Sequence, residues 1–285
     1  MKDYFMTLIS IFTILVLTFG CSEESNQNDP TAPVPTNTPQ ITPTTTPTET
    51  PIATPTETPT ATPTETPSEY MQFQYGVYPS SGYTDTKDAL IDESLLNDDD
   101  NFGGYIRAIV GKTSSTERRI LVKFEISGAG LLPANATVTG ASLRLYRYST
   151  QCSPSCPSEG QDVAGYRITA DWTEGTSSDS NGTLCSGDCV TWNQRTTVNW
   201  TTDGGDISDK ITPDYNLASG GSSEHYYEID AATVQDWLDN PGTNYGMLIK
   251  LKPEETETGQ TVWYYTKEYT TASQRPLLTV YYTVP

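Results

Sequence analysis

Two runs of alternating side chains, joined by one loop, limit this chain to β architectures. In Arg118–Ile126, Ile120, Val122, Phe124 and Ile126 share one face at period two, with Lys123 and Glu125 on the other. Leu121 breaks the alternation. A turn-forming segment follows, Gly128 to Asn135. Then Ala141, Leu143 and Leu145 alternate with Ser142, Arg144 and Tyr146. An apolar face on each strand needs a second apolar layer, so the remaining strands are expected to build another sheet against it.

Further short strands are expected at Tyr105–Val110, Val163–Thr169, Tyr226–Ile229, Tyr245–Leu251, Thr261–Tyr265 and Leu277–Thr283, separated by Gly, Asn, Asp, Ser and Pro. One segment reads as helical. Asp230 is placed to cap Ala231–Leu238, and Asn240-Pro241-Gly242 stops it. The expected fold class is all-β: a jelly-roll-like antiparallel β-sandwich with one short helix.

That domain occupies residues 68–285. Residues 1–20 read as a signal peptide, with Lys2 before an apolar run from Tyr4 to Phe19. Gly20-Cys21 ends the run in the manner of a lipoprotein cleavage site, with Thr18 where such sites usually carry Leu. The expectation is lipidation of Cys21 and attachment to the membrane through that lipid; an uncleaved anchor is the alternative. Either places the rest of the chain outside the cytoplasmic membrane. Residues 21–67 read as a disordered linker, because Thr31–Pro67 repeats Pro-Thr units with almost nothing apolar to bury. At ~3.1 Å per residue, an extended spacer of this length reaches roughly 115 Å.

Residues 1–67 hold one lysine against seven Asp and Glu, so −14 of the formal net charge of −20 falls from Ser68 onward. Such a domain repels phosphate backbones and anionic headgroups, which argues against nucleic acid as a partner. Neutral glycans, cations and basic surfaces are compatible with it.

The candidate chemistry is sparse. Cys152, Cys156, Cys185 and Cys189 form two C-x3-C pairs. Four sulfurs can hold zinc, but an exported chain meets oxidising conditions, which points to disulfides. Local bridges are expected, and cross-loop pairing is the alternative. Asn97, Asp98, Asp100 and Asn101, with Asp99 between them, crowd oxygen ligands into one loop and are the candidate Ca²⁺ site; Asp203–Asp206 is a second such loop, and a solvated acidic loop is the competing reading. Sugar binding needs aromatic faces beside polar groups. Trp200, Tyr215, Tyr264 and Tyr83 lie in or near loops and are the candidate platforms, with core packing as their competing use. The single His225 belongs to no G-x-S-x-G or HExxH motif, so catalysis finds little support.

Eight pieces, in order along Asp88–Tyr282, resemble the DNRLRE domain, a β-sandwich of secreted prokaryotic surface proteins related to disaggregatase-associated and carbohydrate-binding modules. They are NFGG (Asn101–Gly104), RRILVKFEI (Arg118–Ile126), ATVTGASLRLYRY (Ala136–Tyr148), DWTEG (Asp171–Gly175), VTWN (Val190–Asn193), VQDWLDNP (Val234–Pro241), YGMLIKL (Tyr245–Leu251) and RPLLTVYY (Arg275–Tyr282). The resemblance implies a jelly-roll-like sandwich, surface exposure and, in some members, polysaccharide binding. Within these pieces Trp172 and Trp192 are expected to plug sandwich edges, and Arg275 to pair with a carboxylate such as Glu174 or Glu268. The expected function is non-catalytic binding of extracellular polysaccharide. A structural or adhesive role and a polysaccharide-cleaving enzyme are the alternatives.

Overall fold

A computed structural model describes residues 68–94, 98–113, 116–153, 160–218, 221–252 and 259–285. All lie within one compact unit, Ala61–Pro285. The expected signal peptide, Cys21, the expected Pro/Thr linker, Asn97 and Cys156 lie outside the described residues.

Among the described residues, fourteen strands follow one another. They are β1 (Glu69–Phe73), β2 (Thr86–Asp92), β3 (Asp100–Asn101), β4 (Arg107–Thr113), β5 (Thr116–Phe124), β6 (Thr137–Cys152), β7 (Asp162–Ile168), β8 (Thr183–Leu184), β9 (Ile207–Lys210), β10 (Tyr215–Asn216), β11 (Glu224–Ile229), β12 (Met247–Leu251), β13 (Gln260–Tyr265) and β14 (Leu277–Thr283). One α-helix, α1 (Ala231–Asp239), interrupts them, with two single 3-10 turns at Pro241–Thr243 and Ala272–Gln274. Every paired strand runs antiparallel to its neighbours. The fold is an all-β sandwich.

The first sheet has the order β1-β14-β6-β11. The second centres on β5, which pairs with β2 on one side and with β4 and then β12 on the other. From β12 it continues through β7 to β9 and β10. Strand β6 belongs to both sheets. Its first part pairs with β14 and β11, while Arg147–Cys152 pair with β13, which pairs with β4. One long strand therefore forms a corner of the sandwich.

The main core fills the space between the sheets. Leu143, Leu145, Tyr227 and Val280 meet Ile120, Val122, Ile249 and Val262. The helix closes this core with Val234, Trp237 and Leu238. Asp230 caps it as expected, accepting from the Thr233 N–H.

A second core lies on the opposite face of the second sheet. Ala89, Ile91, Leu121 and Leu248 point into it, covered by Trp172, Val190, Trp192 and Trp200 from the segment between β7 and β9. The misplaced Leu121 is thereby explained: it is fully buried, on a strand buried from both sides. Burying such a side chain contributes about 1.5–3 kcal/mol. Trp172 and Trp192 accordingly cover a sheet face rather than plugging an edge. Trp172 Nε1 donates to Tyr245 O at 2.9 Å, and the Arg119 guanidinium lies 4.4 Å from the Trp192 ring centre.

Candidate functional site

Among the described residues, the outer face of the first sheet has no such cover. Alternation sends Tyr70 and Gln72 of β1, Thr279 and Tyr281 of β14, Ser142 and Arg144 of β6, and Tyr226 and Glu228 of β11 outward. Register sets them in rows: Tyr70 beside Tyr281, Gln72 beside Thr279 beside Ser142 beside Glu228, and Leu277 beside Arg144 beside Tyr226. Together they line a groove of about 480 Å³. Tyr70, Tyr226 and Tyr281 are 64%, 50% and 45% exposed, large fractions for rings of this size. Tyr70 and Tyr281 stand with ring centres 6.2 Å apart. Arg144 is held by Glu224 at 3.2 Å and by Ser273 O at 2.6 Å. The same Glu224 accepts from the Tyr226 hydroxyl at 3.1 Å.

The aromatic surface continues along β6. Tyr146 and Tyr148 follow Ser142 and Arg144 at period two. Tyr265 packs against both, with ring centres 6.2 and 5.5 Å away, and stacks on Tyr269 at 3.6 Å. The Arg107 guanidinium covers Tyr148 at 3.8 Å. Ser142 to Tyr148 alone spans ~20 Å of strand. Burial, and then the bond to Glu224, raises the Tyr226 phenol. The Tyr269 hydroxyl, followed by burial, pushes Tyr265 up to about 12. Tyr226 and Tyr265 are therefore neutral at physiological pH, and the face offers rings edged by hydroxyl, guanidinium and amide groups.

The structure places most of the expected sugar platforms elsewhere. Trp200 is buried in the second core, its Nε1 donating to Thr191 O at 3.1 Å. Tyr264 is 1% exposed in the main core, its hydroxyl 2.6 Å from His225 Nδ1 and 3.0 Å from the Tyr227 hydroxyl. Tyr83 is buried and donates to Asp85 O and Glu125 O. Tyr215 is half-buried, its ring 4.9 Å from both His225 and Tyr227. Trp200, Tyr264 and Tyr83 pack and cannot lie against a sugar. The exposed rings stand on strands, and the alternation of Tyr146 and Tyr148 with Leu143 and Leu145 was the signal that could have found them.

His225 is likewise a core residue. Burial, then Arg147, pushes it down to about 4, so it is neutral at physiological pH.

The acidic loop is partly structural. Asn101 is buried. Its amide donates to Glu174 O at 2.7 Å and Val190 O at 2.9 Å, and its oxygen accepts from the N–H groups of Gly103 and Ser177. That corrects its assignment as a calcium ligand, because no lone pair faces the loop. The same contact draws NFGG against DWTEG: Gly103 leaves no room for a Cβ beside the Glu174 backbone, and Gly175 adopts φ +79° against Asn101. Asp99 accepts from Asn193 at 2.8 Å. Burial, then Asp98, Asp99 and Asp179, raises the Asp100 carboxyl. In the other loop Asp206, against the upward pull of burial, is held low by the N–H groups of Thr201 and Thr202. It fastens a turn.

Cys185 and Cys189 form a disulfide, the local bridge expected, and Cys152 is disulfide-bonded. Sulfurs joined in this way are not thiolate ligands for zinc.

One cluster is absent from the sequence reading. Asp88 of β2, Glu174 of the covering segment and Glu268 after β13 bring carboxylate oxygens within 4.8 Å of one another. Lys267 Nζ bonds Glu174 Oε2 at 3.1 Å and also Glu268 Oε1. Burial, followed by Glu268 and Glu174, raises Asp88. Burial pushes Glu174 up to about 7. Lys267, against the effect of burial, is held charged by Glu268 and Glu174. Arg275, expected on one of these carboxylates, instead donates to Tyr269 O at 2.8 Å and Tyr75 O at 2.9 Å. Nothing at the level of motif links residues so far apart in sequence.

No family model and no curated protein matches this sequence. Among the described residues no helix is long and apolar enough to cross a membrane.

Proposed function

We propose that this is an exported, lipid-anchored surface protein whose sandwich binds a neutral extracellular polysaccharide without cleaving it. The binding surface is the outer face of the first sheet. The observation that carries the reading is the set of three exposed tyrosines, Tyr70, Tyr226 and Tyr281, around a groove whose floor holds Gln72, Ser142, Arg144 and Glu228. Ring faces stack on the apolar faces of sugars, while fixed polar groups bond hydroxyls. Rows of such groups along β6 suit an extended chain rather than a single small molecule. Ser68 onward carries −14, which favours a neutral polymer over a polyanion. The resemblance of eight ordered pieces to DNRLRE domains supports the same reading, as does the Gly20-Cys21 junction followed by a Pro/Thr spacer.

Retardation of the purified protein in gels containing neutral polysaccharides, beside a glycan array, tests this. The expected result is retention by one polysaccharide class, and its loss in a Tyr226→Ala/Tyr281→Ala double variant. Retention by none, or retention unchanged in the double variant, rejects the reading.

A further inference from the structure

We propose that Asp88, Glu174 and Glu268 form a binding site for a hard divalent cation of the calcium class. This site is separate from the tyrosine face and does not rest on the polysaccharide reading. Three observations meet there. First, the three carboxylates place oxygens within 4.8 Å of one another. Oxygens sharing one Ca²⁺ at 2.3–2.6 Å lie at most about 5 Å apart. Second, two oxygens lack donors. Asp88 is 2% exposed; its Oδ2 accepts from the Lys267 N–H at 2.8 Å, while Oδ1 has no partner. Glu268 Oε1 accepts from Lys267 Nζ, while its buried Oε2 has none. Buried acceptors without donors are costly, and a cation satisfies both. Third, among the described residues Lys267 is the basic side chain bonded to the cluster, to Glu174 and to Glu268.

The all-oxygen donor set selects a hard cation over zinc or copper. Glu174 and Lys267 also line a cavity of about 470 Å³, which gives an ion its route and room for the waters that complete six to eight ligands. The Lys267 ammonium also lies 5.2 Å from the Tyr75 ring centre. A bound ion would join β2, the segment covering the second sheet and the turn after β13. That turn carries Tyr269, which stacks on Tyr265.

Calorimetric titration of the chelator-stripped full chain with CaCl2, MgCl2 and ZnCl2, and thermal unfolding with each, tests the site. Ca²⁺ is expected to bind at a single site and raise Tm, with Zn²⁺ far weaker. Glu268→Gln, a partly exposed position, and Asp88→Asn are each expected to weaken Ca²⁺ by about 10-fold or more. Asp98→Asn/Asp100→Asn in the acidic loop is expected to leave it unchanged. No heat and no Tm shift with any of the three ions overturns the proposal. So does Ca²⁺ binding that persists in Glu268→Gln, or that is lost instead with the loop variant.

Discussion

The two sheets of the sandwich present outer faces built by the same alternation, yet among the described residues only one is covered. On the second sheet the outward positions of β2, β5 and β12 are Ala89, Ile91, Leu121 and Leu248, and three tryptophans close over them. On the first sheet the outward positions are Tyr, Arg, Gln, Ser, Thr and Glu, and solvent reaches them. Aliphatic side chains offer water nothing, so the chain between β7 and β9 folds back to bury them. Tyrosine tolerates exposure because its hydroxyl stays wet while its ring remains available.

The largest effect that tests this contrast is expected at Trp172. Trp172→Ala removes a buried ring and its bond to Tyr245 O, and is expected to destabilise the fold by about 3–5 kcal/mol in urea unfolding. A loss below about 1 kcal/mol would mean that the covering segment is not a true second core. Asn101→Ala comes next. It leaves the carbonyls of Glu174 and Val190 without their donor, and is expected to cost about 2–3 kcal/mol by the same measurement. Stability unchanged there would show that the segment is held by its tryptophans alone.

Acid acts on the residues behind the open face. Burial keeps His225 neutral in the fold, with a value of about 4 against 6.5 in the unfolded chain. As pH falls, the unfolded chain takes up this proton first, so stability is lost progressively from about pH 6.5 down to about 4. His225→Gln is expected to flatten that part of the profile in denaturant midpoints taken across this range. The smallest effect on stability is expected on the open face itself. Tyr226→Ala and Tyr281→Ala are each expected to shift unfolding by no more than about 0.5 kcal/mol. Each is nevertheless expected to weaken polysaccharide retention by roughly 2- to 10-fold, the worth of one ring contact. A large loss of stability from either would show that these rings serve the fold.

Much of the fold was legible locally. The alternation in Arg118–Ile126 and Ala141–Tyr148 appears as β5 and β6, and Asp230 caps the helix from the position its side chain allows. Strands β1, β2, β3, β8, β9 and β10 are not among those expected from the sequence. Most of β2 (Thr86–Asp92) is buried on both faces, Asp88 included, so it shows no clean period of two. The candidate site was less legible. A place in or near a loop does not mean exposure: Trp200 and Tyr264 are held inward by hydrogen bonds to partners that the linear sequence does not name.

By itself, the sequence determined the class of fold, the helix and its cap, and the acidity of the domain. Each of these depends on side chains within a few residues of one another, or on a sum over all of them. Only the tertiary structure decided which sheet face is covered, which tyrosines see solvent, and that Asp88, Glu174 and Glu268 meet. Those outcomes depend on pairings across long separations, 86 residues for the bond from the Asp88 N–H to Glu174 and 179 for that from the Lys267 N–H to Asp88. Strand register and the return path of one covering segment set such pairings, and neither is written in any local pattern.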